Sequence, residues 1–146
     1  MRKLAKYLRL SWRDQAMFWE AALFLGIARF ALLVLPFRWI ASVFGVQHVE
    51  TPREESGECG AARGVGAMVN LVAHQVPWQC KCLVQSIAAK LMLSLRHIPS
   101  TVYFGVRTDR SGAFEAHAWL RSGESIVVGR TEHEQFTVLT HFADVP

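Results

Sequence analysis

Cys82 and His117 are the two residues whose types and settings together suit nucleophilic chemistry. Cys82 follows the polar junction Pro77-Trp78-Gln79-Cys80-Lys81 and opens an apolar-periodic segment, which places its thiol at a helix start. Unpaired backbone N–H groups and the helix dipole favour an anion there, and so favour thiolate over thiol. His117 lies in the alternating run Glu115-Ala116-His117-Ala118-Trp119, a strand pattern. On it Phe114, Ala116, Ala118 and Leu120 share one parity, while His117 stands with Glu115, Trp119 and Arg121. A cysteine on a helix start facing a histidine on a strand makes an activated thiol nucleophile. The plainer readings are a small buried hydrophobe for Cys82 and a half-buried, satisfied histidine for His117.

Three further roles depend on neighbours. Cys80 competes as nucleophile but precedes the helix start, where the dipole effect fades. Gln79 offers an amide to an oxyanion alongside the Cys82 N–H, and reads equally as an exposed glutamine. A third group should orient the imidazole. With Gly123 at the centre of a hairpin, Gly129 falls opposite His117, and it has no side chain. Glu132 is the acid nearest in sequence and Thr131 is close, so the third role stays open. His48, His74, His97, His133 and His141 lack a comparable context and read as surface or loop residues. Cys80 and Cys82 are spaced C-x-C with no second ligand pair, so zinc on Cys80, Cys82, His74 and His97 is not expected. No motif calls for a cofactor.

The elements that must position the pair follow from periodicity. Leu83, Ile87, Ala88, Leu91 and Leu95 predict a central helix over 82–95, ended by Arg96, His97 and Pro99. A small-residue helix is expected over 63–75, with Val65, Met68, Val69 and Val72 on one side. Strands are predicted over 101–107, 113–121 and 125–128, joined by turns at Asp109–Gly112 and Ser122–Glu124. Residues 135–142 alternate weakly and add a short strand or a packing segment. Residues 46–62 are polar and Gly/Pro-marked, a linker or mobile loop with Cys59 as an exposed, inert thiol.

The front of the chain is different. Residues 1–14 are basic, with Leu4, Tyr7, Leu8 and Trp12 interleaved, and 15–44 are very hydrophobic. Two helices are expected, 15–35 and 37–44, broken at Pro36. Glu20 and Arg29 interrupt the apolar run, so it reads as a packing or docking surface, not as a span or signal peptide. The basic start with its aromatics is compatible with peripheral membrane contact.

Bulk numbers bound the answer. At 146 residues and 51% apolar, this is a domain with a real core and a helical appendage. A net charge of +4 without basic-aromatic repeats, zinc-finger spacing or a phosphate loop excludes nucleic acid as the expected partner. Three cysteines and no signal peptide point to a reducing, cytoplasmic compartment.

Cys82-Leu83-x-x-Ser86-x-Ala88, Leu91 to Arg96, Ile98-Pro99, Gly105-Val106 and Phe114-x-Ala116-His117-Ala118-Trp119 resemble the leader peptidases of lasso-peptide biosynthesis. Those enzymes belong to the transglutaminase-like superfamily of papain-like cysteine enzymes. In front, Glu20-Ala21, Ala28-Arg29 and Leu35-Pro36-Phe37 are similar as well, so the likeness runs from about 17 to 142. The resemblance implies an α+β papain-like or transglutaminase-like fold. N-terminal helices (1–45) would lead through the loop (46–62) to a core (63–146) of a Cys-bearing helix on an antiparallel sheet. It implies a bacterial cysteine protease that removes the leader from a ribosomally made precursor peptide, with Cys82 as nucleophile and His117 as base. Its partners would be a separate small leader-recognition protein and the macrolactam-forming cyclase. Where some relatives carry an aspartate, this chain has Gly129. A transglutaminase-like acyltransferase and a non-catalytic peptide-binding module are the alternatives.

Overall fold

The computed structural model describes residues 2–54, 57–130 and 133–144. It is an α+β architecture, helices packed on an antiparallel sheet. The helices are α1 (Arg2–Leu8), α2 (Trp12–Val34), α3 (Phe37–Ala41), α4 (Cys59–Ala73) and α5 (Cys82–Leu95). The strands are β1 (Val46–Gln47), β2 (Thr101–Thr108), β3 (Phe114–Ser122), β4 (Ser125–Val128) and β5 (Thr137–Ala143). Their order is β1-β5-β2-β3-β4, with every pair antiparallel.

The expected break at Pro36 separates α2 from α3, with Pro36 at the N-cap of α3, but α2 starts earlier than expected, at Trp12, the basic start forms α1, and a 3₁₀ turn over Ser42–Phe44 follows α3. Ser11 caps α2, its Oγ accepting from the Asp14 N–H at 3.2 Å, which satisfies one orphan donor of the first turn. The α2 residues Ala21, Leu25 and Ala28 are buried against α4 and α5. Glu20, which interrupts the apolar run, is used: it holds Arg96 by two hydrogen bonds of 2.7 and 2.8 Å. Among the described residues α2 is the helix long and apolar enough to cross a bilayer. Its buried face and its tie to Arg96 place it instead against the domain.

Two expectations need correction. The central helix spans 82–95 as expected, but Leu95 of its periodic set is 63% exposed, and Val84, Ser86, Ala89, Lys90, Met92 and Leu93 outside that set are buried. It runs between α2, α4 and β3, so most of its circumference is covered. Residues 46–62 are not simply a loop. They contribute β1, which pairs with β5, and the first residues of α4. Thr51 is buried and donates its N–H to Thr101 Oγ1 at 3.0 Å. Arg121 Nη2 donates to the Thr51 carbonyl at 2.9 Å, which pins the same segment to the sheet.

The weakly alternating tail is β5, set between β1 and β2 inside the sheet. Its far end is fixed by Lys90, fully buried on α5, whose ammonium donates to the Ser100 carbonyl (2.8 Å), Ser100 Oγ (3.0 Å) and Asp144 Oδ2 (2.6 Å). At the other hairpin Asp109 Oδ1 accepts the N–H groups of Ser111 and Ala113 at 2.8 and 2.9 Å, a side-chain mimic of a turn.

Candidate active site

Cys82 is the first residue of α5, as its place before the apolar run requires. The preceding residue, Lys81, has extended backbone and makes no side-chain cap hydrogen bond. A lysine cannot accept, so the first turn keeps donors free for an incoming anion. His117 sits on β3 opposite Gly105 of β2. β4 pairs with β3 only at Leu120, Arg121 and Ser122. The part of β3 that carries His117 is therefore not covered by β4.

The two residues line one cleft of about 620 Å³. Its walls are Arg63, Gly66, Ala67 and Asn70 of α4, Cys82 and Gln85 of α5, Ile126 to Val128 of β4, and Gly129 and Arg130 after it. The thiol and the imidazole are not hydrogen-bonded to each other. Gly66 lets α4 approach β4, for a Cβ there would lie 2.2 Å from the Val127 carbonyl oxygen.

The imidazole is held from three directions. Its ring stacks on Trp119 at 5.7 Å and 25°. Phe136 lies on it at 4.9 Å, with Arg107 in turn over Phe136 at 4.6 Å. Trp119 stacks on Tyr103 at 5.6 Å and 10°, so the histidine sits between Trp119 and Phe136 in a run of rings built from β2, β3 and the segment before β5. Gly105 makes room for that run: a Cβ there would meet the Trp119 ring at 2.9 Å.

The third contact is polar. His117 Nε2 lies 2.9 Å from the Gly129 carbonyl oxygen. A carbonyl only accepts, so Nε2 carries a hydrogen, and in the neutral imidazole the lone pair is then on Nδ1. The expected pairing of Gly129 with His117 is off in register. The hairpin pairs Ser122 with Ser125 and Arg121 with Ile126, then shifts to pair Leu120 with Val128. Gly129 thus lies beside Trp119, where a Cβ would stand 2.8 Å from the Trp119 Cβ, and its φ is +79°. No described carboxylate bonds to the imidazole. Glu115, its neighbour of the same parity, is paired with Arg107 at 2.6 Å. Thr131 and Glu132 lie outside the described residues.

The other sequence candidates fall elsewhere. Cys80 packs against the core, and burial pushes its thiol above the ordinary value, with Arg29 opposing. Gln79 is exposed and outside the cleft, while Gln85, one turn past Cys82, lines it and donates to the Cys80 carbonyl at 2.8 Å. Its spacing from Cys82 on a helix was the available signal. Asn70, Arg63 and Arg130 were not singled out, because they belong to elements whose faces the sequence does not orient. Cys59 is a correction: half-buried, it opens α4 and lies 3.2 Å from Ser125 Oγ. His97 follows the far end of α5 from Cys82, so the four residues considered for zinc do not meet. Among the described residues no group of three His, Cys, Asp or Glu could hold a metal ion.

Among known families, residues 31–141 match the model described as the transglutaminase-like superfamily. The match takes in both Cys82 and His117. No curated protein and no solved structure matches the chain.

Proposed function

The chain belongs to the transglutaminase-like superfamily, which includes cysteine proteases, and from that premise we propose that it is a cysteine peptidase that cuts the leader from a lasso-peptide precursor. The observation that carries the chemistry is the shared cleft: an uncapped helix start presents Cys82, and His117 has Nε2 engaged and Nδ1 free. The leader specificity rests on the sequence resemblance.

In the proposed reaction His117 Nδ1 takes the Cys82 proton as substrate brings the two together. The thiolate sulfur attacks the last leader carbonyl carbon. The oxyanion that forms accepts from N–H groups at the start of α5. On collapse the C–N bond breaks, and the imidazolium returns its proton to the leaving amine, which is the N-terminus of the core peptide. Water then gives a proton to His117 and attacks the thioester. The leader leaves as a carboxylic acid and Cys82 regains its proton. The chain would act in the cytoplasm with a separate leader-recognition protein, and the freed amine would pass to a macrolactam-forming cyclase.

The test is incubation with precursor and recognition protein, reading peptide masses with and without an added primary amine. Hydrolysis yields a leader ending in a free carboxylate in both mixtures. A leader carrying the amine as its main product would identify an acyltransferase instead, and an uncut precursor would defeat the peptidase reading.

A further inference from the structure

Away from the cleft, α2 exposes an uninterrupted apolar stripe. Trp19, Leu23, Ile27, Phe30 and Val34 recur at three- and four-residue steps and are 46–66% exposed. Their spacing sets them on one helix face. The buried Ala21, Leu25 and Ala28 occupy the other. Beyond the helix end Phe37, Trp39 and Val43 extend the exposed apolar surface, and Leu8 and Trp12 extend it at the start. Single exposed apolar side chains need no account, but a stripe running about 22 Å along a helix marks a contact surface.

Charge selects what covers it. Between residues 5 and 43 the exposed charged side chains are Lys6, Arg9, Arg13 and Arg38, all cations. The two acids of that stretch are engaged, Asp14 with the Ser11 hydroxyl at 2.7 Å and Glu20 with Arg96. Cations and tryptophans therefore bracket the stripe, Trp12 and Arg13 at one end, Arg38 and Trp39 just past the other. Tryptophan and long basic side chains at the edges of an apolar face are what a lipid–water interface accommodates. A second copy of the chain would bring two sets of cations together.

We propose that the exposed face of α2, continued by α3, docks on an anionic lipid surface with the helix lying in the plane of the membrane. It does not cross, since its other face stays in the domain core.

The full chain sedimented with phosphatidylcholine vesicles, with and without phosphatidylglycerol, tests this. Binding should be at least about tenfold tighter with the anionic lipid and should weaken as salt is raised. Leu23→Gln with Phe30→Gln should reduce it at least about tenfold. Lys6→Glu with Arg13→Glu should remove the preference for anionic lipid. All four positions are exposed, and an unchanged melting temperature would verify each variant's fold. Absence of vesicle binding, or equal binding to both compositions, overturns the proposal. So does a stable dimer that the Leu23/Phe30 variant dissolves, or α2 amide protection by a protein partner but not by vesicles. Retention in vesicles through carbonate washing overturns it too, by showing an integral span.

Discussion

At the scale of single residues the account rests on a division of labour between two cysteines two positions apart. Cys82 opens α5 and lines the cleft, while the half-buried Cys80 packs against the core outside it, where burial pushes its thiol above the ordinary value. Cys82→Ala or Cys82→Ser should therefore abolish cleavage with the fold and precursor binding intact, and Cys80→Ala should keep most activity, as peptide masses and a binding assay would show. The reverse pattern would reassign the nucleophile. His117→Ala should lose roughly 10²–10⁴ in rate; an enzyme within a few-fold of wild type would remove the histidine from the mechanism. Gly105→Ala probes the run of rings, because the added methyl meets the Trp119 ring. We expect kcat to fall more than stability, read by comparing turnover with the melting curve. The places of Cys82 at a helix start and of His117 on a strand were legible in sequence because helix-start and strand-alternation signals are local. The Gly129 carbonyl was not: a backbone acceptor leaves no side-chain signature, and its position depends on a one-residue shift in the hairpin.

At the scale of elements, Lys90 and Asp144 join the central helix to the end of β5. The ammonium is fully buried, and that burial pushes it below its ordinary 10.5 although Asp144 pulls the other way. Asp144→Ala should cost about 3 kcal/mol in denaturant unfolding, because it strips the carboxylate from a buried cation. Lys90→Met should be close to neutral or stabilising, as volume-matched apolar replacement of a buried pair often is. The sign with pH follows from linkage. The unfolded chain binds the Lys90 proton more tightly, so this group's contribution to stability rises with pH between its lowered value and 10.5. Any advantage of Lys90→Met over wild type should shrink across that window, and a widening gap would refute the assignment of a destabilised ammonium. Strands β2 to β4 were readable because tight turns and alternation sit next to each other in sequence. β5 was only half-readable, its weak alternation fitting a strand or a packing segment, and β1 and the anchoring of Thr51 were not, since they depend on partners distant along the chain, such as Thr101 and Ala143. The helix 82–95 was readable, but not how much of its surface is buried. A helix covered on several sides is chosen by its tertiary neighbours, and Leu95 lies outside that cover.

For the molecule as a whole, helices and sheet meet at the cleft. α4 and α5 supply one wall, and β4 with Gly129 and Arg130 after it the other, so the N-terminus of α5 opens where β3 carries its histidine. The apolar front, with its exposed stripe, is packed on α5 by the opposite face of α2. That arrangement lets one chain present the proposed catalytic cleft and, apart from it, the proposed membrane-docking face. The central claim is that Cys82 breaks a peptide bond. Its most direct test sets wild type and Cys82→Ala beside each other with the same precursor and recognition protein, and weighs every peptide. The account predicts two fragments whose masses sum to the precursor plus one water with wild type, and only intact precursor with the variant. Fragments from Cys82→Ala, at a rate near that of wild type, would contradict it.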